Sequence, residues 1–248
     1  MHSNYDTDIL SYHSQFSMQQ PAGQHSRSSG GGRGSDTNLR NRVKSMYKAA
    51  QRELKAGRTR QCVAILREIL DLDPKDSHSW LLLGRTVARG GETAKAREIF
   101  AKAAAACPRS VHILQAWAVL ESKYGRTDEA RQLFARGLEA DPGNAYVCHA
   151  WGLMEQRLDH TDRARELFRA AFARAPQAQV CTALGELEAC SGRVEMAREV
   201  FRRGIELCDD KSHIYMAWAR VEEQVTLPPL PVILLLLLLL LLHLLVLY

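Results

Sequence analysis

The sequence predicts an all-α fold: a right-handed superhelical solenoid of 34-residue helix–turn–helix units, with a disordered head and an anomalous poly-Leu C-terminal segment. Three aligned columns predict it. Pro74, Pro108, Pro142 and Pro176 stand 34 residues apart. Gly57, Gly91 and Gly125 keep the same step, which Asp159 continues and Gly192 resumes after a one-residue deletion. The blocks A-K-A-R-E-I-F (94–100), D-E-A-R-Q-L-F (128–134), D-R-A-R-E-L-F (162–168) and E-M-A-R-E-V-F (195–201) superimpose on that step. A unit this short cannot bury its apolar face alone, so neighbours have to stack.

Residues 1–37 are rich in Ser, Gln, His and Gly and lack apolar periodicity, so they are expected to be a disordered head. They hold no secretory h-region, and Asp6 and Asp8 argue against an acid-poor transit peptide. The array should occupy 38–224, in units near 43–76, 77–110, 111–144, 145–177 and 178–211 with a half unit at 212–224. In each unit the first helix shows apolar residues at helical spacing, as in Ile113, Leu114, Trp117 and Leu120. A turn follows at the Gly column, where a residue free to take positive φ closes a helix. Thr127-Asp128 and Thr161-Asp162 mark the start of a second helix. That helix should stop before the Pro column, since the residue preceding proline disfavours the α region.

The pattern breaks at Gln224. Ala217-Trp218-Ala219-Arg220-Val221-Glu222 repeats the A-W-A-V-L-E of 116–121, yet the second helix that should follow is replaced by prolines and nine leucines, 234–242. The tail 225–248 carries no charge, and its segment 232–248 would span about 25 Å as a helix, at the short edge of a membrane crossing. It is read as the product of an incorrect gene model or intron read-through, with a C-terminal membrane anchor as the alternative.

Composition narrows the function class. The chain has 248 residues with 33 basic and 28 acidic side chains, and 31 of the former and 25 of the latter fall in 38–224. That is too acidic for a histone-like polycation and too charged for a membrane bundle. The six cysteines form no C-x-x-C pair and none has a His at zinc-finger spacing, so they read as small buried residues of a reducing compartment. No P-loop, dinucleotide-binding Gly motif, G-x-S-x-G or H-E-x-x-H occurs, and the nine histidines are scattered. Neither an enzyme nor a cofactor or metal site is expected.

Trp117-x-x-x-Glu121, Trp151-x-x-x-Glu155 and Trp218-x-x-x-Glu222 resemble the half-a-TPR (HAT) class of helical repeat. Unit 77–110, with Trp80, Leu83 and Gly84, is closer to plain TPR, and unit 178–211 keeps Glu188 but has Leu184 in place of Trp. The wording Q-A-W-A-V-L-E-S-K-Y-G and H-A-W-G-L-M-E-Q-R looks most like the chloroplast HAT-repeat factors that bind the 5′ leaders of photosystem II messages. The resemblance covers 43–224. It implies a non-enzymatic single-stranded RNA-binding protein of the chloroplast stroma, or alternatively the nucleus, that protects or remodels an mRNA leader. The chain has fewer repeats than such factors usually carry. The alternative reading is a protein-interaction scaffold, with self-association through the open final helix (Ile214, Trp218, Val221) and membrane attachment only if the tail is genuine.

Two residue sets follow. Glu121, Glu155, Glu188 and Glu222 on first helices and Arg97, Arg131, Arg165 and Arg198 on second helices are expected to pair as a structural ladder, because partly buried charges need partners. The Trp and Phe columns are read as core. The candidate RNA contacts lie on first helices. Lys55, Arg89, Lys123 and Arg157 form a basic ladder that ends at Cys190. Lys44, His78, His112 and Tyr146 form a second column, Gln115 and His149 belong to a third, and Arg85 joins them. Cations one repeat apart could track phosphates while Tyr and His stack on bases. The competing reason for the basic ladder is the helix dipole, which favours a cation in any last turn.

Overall fold

The computed structural model describes residues 33–226, and these contain eleven α-helices and no strand. The chain divides into two compact units, 1–41 and 42–248, each taken by itself; the second carries the repeat array. The helices are α1 (Arg33–Lys55), α2 (Thr59–Leu72), α3 (Ser77–Arg89), α4 (Thr93–Ala106), α5 (Val111–Lys123) and α6 (Thr127–Ala140). They continue with α7 (Ala145–Arg157), α8 (Thr161–Arg174), α9 (Ala178–Cys190), α10 (Val194–Leu207) and α11 (Ser212–Thr226). Odd-numbered helices are the first, even-numbered the second, of each unit, and the result is an all-α solenoid. Helix α1 begins at Arg33, inside the stretch 1–37 set aside as disordered, because no helix breaker follows Gly34. The leucine-rich tail 232–248 lies outside the described residues, and among the described residues no helix is long and apolar enough to cross a membrane.

The turns explain the Gly column. Gly57, Gly91, Gly125, Asp159 and Gly192 all have φ between 60° and 82°. Each turn is closed by the same backbone bond across five residues, from the N–H of Arg58, Glu92, Arg126, His160 and Arg193 to the carbonyl of Glu53, Val87, Glu121, Glu155 and Glu188. Second helices start on Thr in four units without a side-chain cap, whereas Asp76 and Asn144 cap the first helices α3 and α7 through their carboxylate and amide oxygens. Before the prolines, Asp73, Cys107, Asp141 and Ala175 all leave the α region, with φ between −130° and −153°, so each second helix ends there.

Packing follows the 34-residue step. Phe100, Phe134, Phe168 and Phe201 are fully buried, as are Ala96, Ala130, Ala164 and Ala197 on the same second helices. Three of these rings need a small residue opposite. A Cβ on Gly84, Gly152 or Gly185 would approach Phe100, Phe168 or Phe201 to 2.7, 2.5 and 2.4 Å, so the first helix is in direct contact with the ring. First helices also contact the next first helix directly, α3 with α5, α5 with α7 and α9 with α11, while second helices contact chiefly the first helices on either side. The closer spacing of first helices puts them on the inner wall of the array.

Candidate functional site

The Glu and Arg columns meet across units. Arg97 Nε donates to both oxygens of Glu121 at 2.9 Å, and Arg131 Nε and Nη2 donate to the two oxygens of Glu155 at 2.9 Å. Arg198 Nε and Nη2 donate to the two oxygens of Glu222 at 2.7 and 2.6 Å. Each rung joins the second helix of one unit to the first helix of the next. The W-x-x-x-E spacing has a geometric reason: four residues on a helix face place the indole over the carboxylate. Nε1 of Trp117, Trp151 and Trp218 donates to Glu121, Glu155 and Glu222 at 2.8 Å in all three cases. Where Leu184 replaces Trp, Glu188 receives Arg165 at 3.3 Å, Arg169 at 2.9 Å and Arg193 at 2.6 Å instead. Sequence reasoning did not include Arg169 and Arg193 in this network; their signal was the missing indole, which left a buried carboxylate short of donors.

Three of the carboxylates are buried, with Glu121 and Glu155 2% and Glu188 1% exposed, and Glu222 on α11 is half-buried. The Arg131 guanidinium, followed by His160 and Trp151, holds Glu155 down to about 2, and Arg198 and Trp218 do the same for Glu222. Two of the tryptophans stack on the phenylalanine column. Phe134 and Trp151 have centroids 5.7 Å apart at 13°, and Phe201 and Trp218 are 6.0 Å apart at 20°. Their rings are occupied by packing rather than presented to a ligand.

The basic ladder is exposed throughout: Lys55, Arg89, Lys123 and Arg157 each end a first helix. Among the described residues none of the four pairs with a carboxylate; Arg157 donates only to Leu153 O at 3.3 Å and Ser122 Oγ at 3.2 Å. Lys44 is likewise exposed, and Cys190, the last position of the column, is exposed and free. Cys107 is half-buried, so only Cys62, Cys148, Cys181 and Cys208 match the buried reading.

The other columns are less uniform. Gln115 is 4% exposed and its Nε2 donates to Tyr146 O at 3.1 Å, which takes it out of the solvent-facing set. His149 lies 5.9 Å from the Phe168 ring, and burial pushes its imidazole down to about 4, so it is a neutral packing residue at neutral pH. Both were expected to face RNA: Gln115 is instead buried against the next unit, while His149 is half-buried beside Phe168. His78 packs edge-on to Tyr47 at 6.2 Å and faces Asp76 at 3.6 Å, a contact that raises its pKa. His112 is lowered, first by desolvation and then by Arg85 and His78. Burial raises the Tyr146 hydroxyl. Arg85 is half-buried on the inner wall near Tyr47 and Arg89. No cluster of three or more His, Cys, Asp or Glu able to hold a metal occurs among the described residues.

Comparison with known proteins agrees with this geometry. The tetratricopeptide repeat family model matches residues 47–111 and 149–211. No curated protein matches the chain. Among solved structures, a thermophilic TPR protein of Thermus thermophilus is 18% identical, with a TM-score of 0.57 over 72% of this chain and 98% of that one. MamA (41-end) from Desulfovibrio magneticus RS-1 is 19% identical, with a TM-score of 0.52 over 66% of this chain and 94% of that one. At these identities the likeness is one of fold. The repeat step, the left-handed turns, the glycines facing the Phe column and the family match lead to one assignment: the chain belongs to the tetratricopeptide repeat family.

Proposed function

We propose that the protein is a non-enzymatic interaction scaffold that engages other protein chains, including a second copy of itself. The observation that carries this reading is the open helix α11. It presents Tyr215, Met216 and Val225 at 53%, 56% and 47% exposure, on the first helix of a unit whose register calls for a further apolar layer. Ile214 and Val221, expected as contact residues of the open helix, are instead buried with Ala217 against the preceding unit, and Trp218 stacks on Phe201, so among the described residues the exposed apolar side chains of α11 are Tyr215, Met216 and Val225. Sedimentation velocity of the full chain tests this. The expected result is a self-associating species that Met216→Lys returns to monomer; equal, monomeric behaviour of both would remove the role of α11.

A second reading, single-stranded RNA binding, has its own supporting observation: the exposed ladder Lys55, Arg89, Lys123 and Arg157 has no carboxylate partner among the described residues. Under this reading the HAT resemblance supplies the setting, an mRNA 5′ leader in the chloroplast stroma or a nuclear transcript. Four phosphate contacts would make log K for a short unstructured RNA fall against log salt with a slope of about −2.8. Replacing the four cations together by Ala should flatten that slope, and an unchanged slope refutes the ladder as a phosphate track. Attachment to a membrane depends on the tail 232–248 alone.

A further inference from the structure

Two of the six cysteines meet inside the last complete unit. Sγ of Cys181, on α9, lies 3.9 Å from Sγ of Cys208, the residue that ends α10. The repeat step explains why they meet there. The fourth residue of a first helix is Trp80 in α3, Leu114 in α5, Cys148 in α7 and Cys181 in α9. The residue that follows a second helix is Cys107 after α4, Asp141 after α6, Ala175 after α8 and Cys208 after α10. Cys107 thus shares its unit with Trp80, and Cys148 shares its unit with Ala175. Unit 178–211 holds a thiol at both registers.

The surroundings hold the two sulfurs together. Gly204, one turn before Cys208, leaves room for Cys181: a Cβ there would stand 2.9 Å from Cys181 Sγ and 3.1 Å from Ile214 Cδ1 of α11. The same point therefore joins α9, α10 and α11. Cys181 is fully buried, whereas Cys208 is 8% exposed and is the thiol that a small oxidant reaches. Its Sγ also faces Pro176 O at 3.6 Å, a weak contact for a thiol. Cys208 is followed by Asp209, where the earlier units have proline, so the restraint on a residue before proline is lifted. Its backbone is extended, at φ −98°, and the sulfurs need to close by only about 2 Å to bond. Burial raises both thiols, so neither is a reactive thiolate at neutral pH; proximity, not reactivity, singles them out.

We propose that Cys181 and Cys208 are a covalent cross-linking site, which hydrogen peroxide converts to an intramolecular disulfide that braces the last complete unit beneath α11. Peroxide first oxidises the Cys208 thiol to a sulfenic acid, and one water leaves. The Cys181 sulfur then attacks the Cys208 sulfur; the sulfenic hydroxyl departs with the Cys181 proton as a second water. Two thiols lose two electrons and two protons, and one peroxide becomes two waters. The bond closes a loop from α9 through α10 and ties the residue four positions before α11 to the start of α9. The other cysteines that share these registers, Cys107 and Cys148, have no thiol opposite them in their own units. This inference goes beyond the scaffold reading and stands without it.

The test is peroxide treatment of the full chain, followed by alkylation in denaturant and an unreduced tryptic digest read by tandem mass spectrometry. Cys190→Ser is the parent, because the exposed Cys190 shares the tryptic segment 175–193 with Cys181. Treatment lasts roughly tenfold longer than is needed to consume Cys190 in the unaltered chain, since raised thiols react slowly. Segment 175–193 should appear joined to 204–211, and dithiothreitol should part them. Cys208→Ala should abolish the joined species, and Ala175→Cys should create a second one with Cys148, the equivalent pair one unit earlier. The oxidised parent should unfold about 5–10 °C above the reduced one, with no such gain in Cys208→Ala. Cys181 and Cys208 both remaining open to alkylation overturns the proposal. So does Cys208 carried to sulfinic acid with Cys181 still free, or joined to another cysteine. A cross-link that leaves the midpoint unchanged or lowers it overturns the brace.

Discussion

Replacing Glu155 by Gln is the most direct test of what holds one unit to the next. Glu155 is 2% exposed and receives Arg131 through two bonds of 2.9 Å, Trp151 Nε1 at 2.8 Å and a contact from His160 Nδ1 at 2.7 Å. Gln keeps the shape and one acceptor, but its amide nitrogen must face a guanidinium or an imidazole. Moving a carboxyl from 4.5 to about 2 corresponds to roughly 3 kcal/mol of preference for the charged form. Removing one partner of a buried pair costs about 3–5 kcal/mol on general grounds, so a loss of about 3 kcal/mol is expected. For a chain of this size that is a drop of roughly 6–12 °C in the midpoint of thermal unfolding followed by circular dichroism. The pH dependence gives a second readout. Because the folded pKa lies below the unfolded one, the stabilisation is complete above about pH 4.5 and is lost as the pH falls towards 2. Glu155→Gln should therefore flatten the stability curve within that window and nowhere else. A double-mutant cycle with Arg131→Met isolates the rung, and a coupling above about 1.5 kcal/mol is expected. Parallel pH curves for the two proteins, together with a coupling under about 0.5 kcal/mol, would refute the rung as an inter-unit tie.

Other perturbations probe the turn, the helix contact and the inner wall. Gly152→Ala should lower stability by about 1–3 kcal/mol in a urea titration despite better helix propensity, because the new Cβ would sit 2.5 Å from Phe168 Cε1. An unchanged midpoint would mean that the ring moves aside at little cost. Asp159 holds φ at 60° where the other inter-helix turns of the column use Gly, so Asp159→Gly should be neutral or stabilising by up to about 1 kcal/mol in the same assay. A clear loss would show that the Asp159 side chain contributes to the turn. His149 should titrate near pH 4 by NMR. Its folded pKa is depressed, so the unfolded chain takes up a proton first and stability declines as the pH falls from about 6.5 towards 4. His149→Leu should remove that part of the decline, and an ordinary titration near 6.5 would show the ring to be solvated.

Most of the architecture was legible because each structural device recurs at one spacing. The Pro, Gly and A-R-x-x-F columns correspond to helix stops, left-handed turns and the buried Ala–Phe face, which are set by local backbone rules and therefore visible in one dimension. The inner wall was less legible. Gln115 and His149 share a column with Tyr47 and Leu81, and the column predicts only that they sit on first helices at one height. Whether such a residue faces solvent depends on what stands opposite it in three dimensions: Gln115 reaches the main-chain oxygen of Tyr146 in the next unit, and His149 meets Phe168 on the second helix of its own unit. The pair Glu186–Arg220 was legible in principle, since the two residues are 34 apart, but their opposite charges at one register carry a signal only once adjacent first helices are known to touch.

The distribution of charge follows from the same construction. Stacking places a carboxylate at the Glu column of successive units, and these acids take their partners from second helices: Arg97, Arg131, Arg165 and Arg198, with Arg169 and the turn residue Arg193 at the unit that lacks Trp. Further acids are held by neighbours one turn away, as Asp128 is by Arg131, Glu129 by Arg126 and Glu166 by Arg163. What remains for the ends of the first helices is cationic, and Lys55, Arg89, Lys123 and Arg157 inherit the surplus of 31 basic over 25 acidic residues in 38–224 without any need for a ligand to explain their sign. A helix dipole makes that sign favourable at no cost to packing. Arg85 differs in kind, because it lies inside the helix rather than in its last turn, gains nothing from the dipole, and is half-buried beside a second arginine. The sign of the exposed ladder thus has a sufficient reason in the fold, whereas Arg85 is a charge the fold does not require.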